Sequence, residues 1–231
     1  MSDKTVRPMV AEFIGTALFV LVGVGSIVAR AATGAGSGPS LEVAFAHGVG
    51  MAIIVTATMN ISGGQINPAV SLALFIAGKQ DGPALGRMVA SQLLGALLGA
   101  AIVKGIFPGG AVRATSLGTP ALSLTITGLQ GILIEAALTF FLVSAVFGTA
   151  VSPEAPKVGG FGIGLAIFVA ALAGGTFTGA ALNPARAFGP AIVAWQLNAQ
   201  YVYWVGPLLG AAVAGFVWKL WLLPKDASQI R

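Results

Sequence analysis

Apolar residues in this chain are gathered into six long runs, near 8–30, 42–61, 84–107, 126–149, 160–176 and 201–223. Each comes close to the roughly 20 helical residues needed to cross about 30 Å of hydrocarbon. Stretches rich in Gly, Ser and Pro separate them, at 33–40, 78–83, 108–120 and 152–160. Two further apolar runs, 68–77 and 184–194, are too short to span, and each opens at the tripeptide Asn-Pro-Ala. They fall between spans two and three and between spans five and six. Short, interrupted hydrophobic segments at corresponding places in two halves point to a central site inside a membrane. The pattern predicts an all-α membrane protein with six transmembrane helices plus two re-entrant half-helices.

The two short segments sit in matching frames. Ile61-Ser62-Gly63-Gly64-Gln65-Ile66 precedes Asn67-Pro68-Ala69, and Phe177-Thr178-Gly179-Ala180-Ala181-Leu182 precedes Asn183-Pro184-Ala185. The likeness extends to the long spans. Glu12 opens Glu-Phe-Ile-Gly-Thr-Ala-Leu-Phe in span one, and Glu135 opens Glu-Ala-Ala-Leu-Thr-Phe-Phe-Leu in span four. Leu93-Leu94-Gly95-Ala96 in span three answers Leu208-Leu209-Gly210-Ala211 in span six. With three spans per half, the second copy enters the membrane in the opposite sense, so the half-helices approach each other from opposite faces. We read residues 1–231 as a single channel domain, an inverted 3+3 repeat with copies at 8–107 and 126–223.

Composition agrees. Hydrophobic residues make up 56% of the chain and charged residues 8%, against about a quarter charged in soluble domains. Mean hydropathy is +0.92. Glycine, at 33 of 231 residues, suits helices that pack closely in lipid, and Gly95–Gly99, Gly160–Gly164 and Gly206–Gly210 have the spacing for it. The chain has no cysteine, one histidine and seven acidic residues, poor material for a metal centre, and no cofactor is implied. The net charge of +5 does not point to nucleic acid, because the twelve basic residues lie singly near span ends rather than in a stripe. With the N-terminus inside, the cytoplasmic side carries Lys4, Arg7, Lys79, Arg87, Lys157, Lys219, Lys225 and Arg231. The other side carries Arg30, Lys104 and Arg113, so the bias places both termini in the cytoplasm. Lys4 and Arg7 lead into a run long enough to span, without a clear cleavage site. We expect a multi-pass protein of a plasma or inner membrane.

Asn-Pro is also a helix start. Asparagine caps the first turn through its side-chain oxygen, and proline at the first position gives up an N–H that would have gone unpaired. The cap orients the amide and leaves its NH2 free to point elsewhere. Two such caps meeting at the midplane would bring two amide donors and two positive helix ends together. Water there would be held by its oxygen, its hydrogens turned toward both exits, which interrupts a proton wire and repels cations. A single Asn-Pro-Ala would be an ordinary capped turn; two in matched frames are not.

On these residues the chain resembles the aquaporin (major intrinsic protein) family over nearly its whole length. Ser62-Gly63-Gly64 with Asn67-Pro68-Ala69-Val70, Asn183-Pro184-Ala185-Arg186 with Phe188-Gly189-Pro190, and Tyr203-Trp204-Val205-Gly206-Pro207 carry the likeness. The resemblance implies that Arg186 stands in the outer constriction, where a charge costing at least ~2.5–3.5 kcal/mol to insert has a use. A snorkelling or ion-paired arginine is the alternative. Counting from the motif asparagines as the family does, the other filter positions are His47, Ala171 and Ala180. Water-selective members usually carry an aromatic residue at the first and histidine at the second, and this chain departs at both. Histidine first with small residues opposite resembles the plant vacuolar-membrane (tonoplast) branch. Ala171 leaves room that a histidine would fill, which implies passage of ammonia, hydrogen peroxide, urea or glycerol beside water. His47 either faces the pore, where its titration could affect flux, or satisfies a neighbouring helix.

Gln65 stands where most relatives carry a histidine. Glu12 and Glu135 match the family's paired membrane glutamates, which hold the irregular backbone before each half-helix. Gln92 is expected to do similar work. Both glutamates would otherwise be suspected as proton relays. Ala187 and Ala191 replace the Asp and the basic residue usual in glycerol-conducting members. The resulting expectation is a passive channel for water and small neutral solutes, embedded in the lipid bilayer as a homotetramer, without catalytic residues. A solute-specific facilitator with water secondary is the first alternative. An ion-coupled transporter is disfavoured because the motifs offer neutral amides, and a non-conducting scaffold or an enzyme ranks lower still.

Overall fold

The computed structural model describes residues 3–36 and 38–224, the side chain of Asp3 excepted; Lys225 and Arg231, counted above for orientation, lie outside the described residues. Among them are nine α-helices and no strand: α1 (Asp3–Ala32), α2 (Leu41–Ser62), α3 (Pro68–Ile76), α4 (Gly82–Ile106), α5 (Gly109–Ala114), α6 (Gly128–Val146), α7 (Phe161–Thr178), α8 (Pro184–Ala194) and α9 (Gln200–Val217). Six are long and apolar enough to cross a membrane, with α6 and α9 each extended by a π-helical turn to Val151 and Leu222. The first span starts at Lys4, before the expected residue 8. Pro8 falls inside α1, just past the first turn, where its missing N–H leaves the carbonyl of Lys4 without a helical donor. The short α3 and α8 are the two half-helices.

Local chemistry sets the ends. Ser40 Oγ accepts from Val43 N and starts α2, Asp81 caps α4 at Ala84 N, and Thr127 and Gln130 form a reciprocal capping box on α6. Gly63 (φ 89°) and Gly179 (φ 81°) end α2 and α7 in the left-handed conformation, turning the chain back into the protein at matching points. The stretch 108–120, expected as a plain connection, instead holds α5 and a 3₁₀ turn at Ser116–Gly118. Ala111, Val112 and Leu117 are buried there in a cluster with Val20, Val24, Ala100 and Val103, so packing overrides the weak helix propensity of the glycines.

The helices pair by a two-fold rule. α1 packs on α4 as α6 packs on α9, α1 on α2 as α6 on α7, and α2 meets α7 across the middle. The half-helices cross over: α8 packs on α4 of the first half, and α3 on α9 of the second. Polarity is inverted relative to a soluble domain. Val10, Ile14, Leu18 and Val22 form an exposed stripe along α1, whereas Glu12, Gln92, Glu135 and Arg186 are buried. Exposed apolar stripes of this kind face lipid.

All three glycine pairs lie at helix contacts. A Cβ on Gly95 or Gly99 would strike the carbonyl of Phe13 or Ala17 in α1; on Gly206 or Gly210, that of Ile132 or Ala136 in α6; on Gly160 or Gly164, that of Ala52 or Gly48 in α2. Gly210→Ala is therefore expected to destabilise the protein by at least ~1–3 kcal/mol through overpacking, read as a lower unfolding midpoint in detergent. Gly105→Ala, facing open space in α4, should hold or raise the midpoint, alanine being the better helix former; equal midpoints for both variants would contradict this packing.

Candidate functional site

Backbone inside a membrane must find hydrogen-bond partners in the protein itself, and the loops entering α3 and α8 are built around that need. In the first loop, Gly64 (φ 59°) and Ile66 (φ 54°) are left-handed; in the second, Ala180 (φ 44°) and Leu182 (φ 53°) occupy the matching positions. For a β-branched residue such as Ile66 this conformation is a true outlier. Two carboxylates hold it. Glu12 Oε1 accepts from Ser62 Oγ (2.6 Å) and Gln65 N (2.9 Å), and its Oε2 from Ile66 N (2.6 Å) and Gln92 Nε2 (2.7 Å). Glu135 Oε1 accepts from Thr178 Oγ1 (2.7 Å) and Ala181 N (2.9 Å), and its Oε2 from Leu182 N (2.8 Å). Gln92 also reaches Ser71 Oγ (3.0 Å), tying the first carboxylate to α3. Both carboxylates are fully buried and turned to the loops.

Each half-helix then starts as its sequence dictates. Asn67 Oδ1 accepts from Ala69 N (2.9 Å), Asn183 Oδ1 from Ala185 N (3.0 Å) and Arg186 N (3.3 Å), and Pro68 and Pro184 take the first helical position. Ala69 and Ala185 are fully buried beneath the caps. The amides are less free than expected from the cap alone. Asn67 Nδ2 donates to Leu182 O and Asn183 Nδ2 to Ile66 O, both at 2.9 Å. The left-handed turn at Leu182 and Ile66 aims each carbonyl at the opposite tip. An amide NH2 carries two hydrogens, and this reciprocal pair uses one from each.

A cavity of about 470 Å³ leads from the loops at Pro39, Ser123 and Asn198 down to the two tips. His47, Ala171, Ala180 and Arg186 all line it, together with Asn67 and Asn183. Arg186 projects from the first turn of α8. Its Nη1 donates to Gly118 O (3.0 Å), and its Nη2 lies 3.3 Å from His47 Nε2. It is buried rather than snorkelling, and the salt bridge found among the described residues, Arg30–Glu42, does not involve it. His47 Nδ1 lies 2.9 Å from Val43 O. A carbonyl only accepts, so Nδ1 carries the proton and Nε2 offers its lone pair to the guanidinium. The ring also packs edge-on to Phe19 (centroids 5.8 Å) and against Gly23. His47 thus borders the cavity and is satisfied by neighbours at once. On the far side of the tips, Gln65 Nε2 donates to Gln80 Oε1 (3.0 Å), and Gln80 Nε2 to Ser71 O (2.7 Å).

A family model described as Major intrinsic protein matches residues 1–218. The chain belongs to the major intrinsic protein family. Among relatives, "Aquaporin TIP4-4" of Zea mays is 42% identical over 220 residues, covering 92% of this chain and 85% of its own. The "Lens fiber major intrinsic protein" of Gallus gallus is 39% identical, covering 96% of this chain and 84% of its own. The fold matches the aquaglyceroporin structure from Plasmodium falciparum with a TM-score of 0.85 at 23% identity, over 94% of this chain and 97% of that one.

In this major intrinsic protein, sequence reasoning missed the groups that act through backbone or through distant loops. Gly118 O, Ile66 O and Leu182 O are acceptors that any residue could supply. Thr178, which bonds Glu135 and takes Tyr203 Oη (2.9 Å) on its carbonyl, is the hydroxyl of the second frame, its partners invisible until folded.

Glu135→Gln turns one acceptor oxygen into a donor and leaves at least one loop donor unpaired, at a cost of about 1–3 kcal/mol. The expected result is a lower unfolding midpoint and faster amide exchange over 178–183. Unchanged exchange there would show that the carboxylate is not what holds the loop.

Proposed function

We propose that this protein is a passive channel for water that also passes small neutral solutes and excludes protons and ions, with no catalytic step. The carrying observation is the pair of asparagine tips, bonded to each other's loops and lining a cavity that Arg186 and His47 also line. The second hydrogen of each amide is positioned to hold the oxygen of a passing water. The positive ends of α3 and α8 meet at the same level and, with the guanidinium, oppose cations. Residues 8–107 and 126–223 are the two copies of one channel domain. Asn67 and Asn183 form the central constriction, with Pro68, Ala69, Pro184 and Ala185 building the helix starts behind them, and His47, Ala171, Ala180 and Arg186 form the outer filter. Glu12, Glu135 and Gln92 support the re-entrant loops.

Ala171 is the position that widens the filter. It presents a methyl group to the cavity, beside His47 and Arg186. The family membership supports assembly as a homotetramer, and the distribution of Lys and Arg supports both termini lying in the cytoplasm.

Stopped-flow light scattering on proteoliposomes tests the reading. Water efflux faster than from protein-free vesicles, with no dissipation of a proton gradient, is expected; shrinkage no faster than bare lipid would refute it. Ala171→His should lower urea and glycerol permeability by about tenfold, a barrier rise of ~1.4 kcal/mol, while water flux persists. Undiminished urea and glycerol flux in that variant would exclude Ala171 from the filter.

A further inference from the structure

We infer that Lys104 and Lys219 are a matched pair of positioning residues that clamp the outer ends of the two half-helices and so set the register of the asparagine tips and of Arg186. The inference deepens the channel reading and rests on it for the meaning of the flux measurements, though not for the clamp itself.

A half-helix with its tip at the midplane has its other end near the membrane surface, where its last carbonyls lack helical partners. In α3 the chain itself satisfies three: Ala77 N donates to Ala73 O, Lys79 N to Leu74 O, and Gly78 N to Phe75 O. The carbonyl that remains, Ile76 O, receives Lys219 Nζ at 3.0 Å. In α8, Trp195 N and Gln196 N cover Ile192 O and Ala191 O, and Val193 O receives Lys104 Nζ at 2.8 Å. Each lysine is thus placed on a carbonyl the turn leaves over, and each brings positive charge to the negative end of a helix dipole.

The two bonds are related by the repeat. The segment Leu93-Leu94-Gly95-Ala96 aligns with Leu208-Leu209-Gly210-Ala211, and the same offset carries Lys104 onto Lys219. Lys104 ends α4 and grips α8; Lys219 follows α9 and grips α3. Both bonds therefore run from one half of the protein to the half-helix of the other, along the same α4–α8 and α9–α3 contacts that seat those helices. A lysine serving only as a topological anchor would need no carbonyl, and would not need it at the same place twice. The two clamps have different dependants. α8 carries Asn183 and Arg186, so Lys104 governs a tip and the filter. α3 carries Asn67 alone.

The test compares Lys104→Met and Lys219→Met, which keep an apolar stem and lose the charge and donor, with Lys→Arg at each position. Hydrogen exchange in detergent is read separately over 184–194 and 68–76, and urea and water permeability are read in proteoliposomes. Lys104→Met is expected to speed exchange over 184–194 by about two- to fivefold, the effect of a helix-terminal charge, and to raise the urea-to-water permeability ratio. Lys219→Met is expected to speed exchange over 68–76 by a similar factor and to lower water flux without raising that ratio. Arginine at either position should restore both readouts. Both lysines are exposed, so folded variants are expected; where a methionine variant is not recovered, its leucine counterpart, which also lacks charge and donor, carries the same comparison. Unchanged exchange in the matching half-helix, or equal acceleration of both half-helices by either variant, would overturn the clamp. Wild-type vesicles that fail to conduct would overturn the channel reading, while the exchange data would still decide on the lysines.

Discussion

A peptide group that leaves the helix inside hydrocarbon has no water to turn to, and this molecule is arranged around meeting that demand twice. The loops before α3 and α8 each contain left-handed residues that cost of order 1–3 kcal/mol apiece, Ile66 and Leu182 among them. The strain has a purpose, since those two residues present their carbonyls to the opposite tips. It persists because Glu12 and Glu135 collect the N–H groups that the turns leave over. The acceptor oxygens of these carboxyl groups are thus used on the loop backbone and on the side chains that flank it. The proton-relay reading finds no support in their bonding, which faces the loops and leaves both side chains fully buried.

Much of this was legible in the sequence, and the reason is that helix starts are local. Asparagine followed by proline predicts a cap and a first turn from chemistry spanning three residues, and α3 and α8 begin at Pro68 and Pro184 as that chemistry requires. Long spans are equally plain, because hydrophobic length is a property of contiguous residues. Glu12, Glu135 and Gln92 could be located through the repeat and the family likeness, but their individual partners could not. What escaped was whatever depends on a backbone atom from elsewhere. Arg186 is held by the carbonyl of Gly118, delivered by three consecutive left-handed residues, Ser116 to Gly118, inside a stretch that reads as a linker. Nothing in the side chains of 108–120 announces an acceptor. The orientation of His47 was likewise hidden, since its two bonds go to its own helix and to a residue 139 positions away.

The same distinction explains how the two halves are alike and unlike. Their frames agree at the carboxylate, the hydroxyl at Ser62 and Thr178, the left-handed positions and the tips. They diverge just past the tips. Arg186 follows Asn183 on the first turn of α8, and the matching place on α3 is taken by Val70, which has neither the charge nor the reach. Gln65 and Gln80 close a neutral network on the other side of the tips. A symmetric scaffold therefore carries an asymmetric passage, with the charged group confined to one mouth.

The crossing over of the short helices bears on how the chain is made. α3 is made well before α9, the helix it packs against most, and the carbonyl its asparagine needs belongs to Leu182. Until residues 182 and 200–217 have been made, the first re-entrant segment has the support of Glu12 and Gln92 but lacks its contacts with the second half. The centre of the protein is therefore completed only when both halves are present, because each tip is seated on the other half's loop.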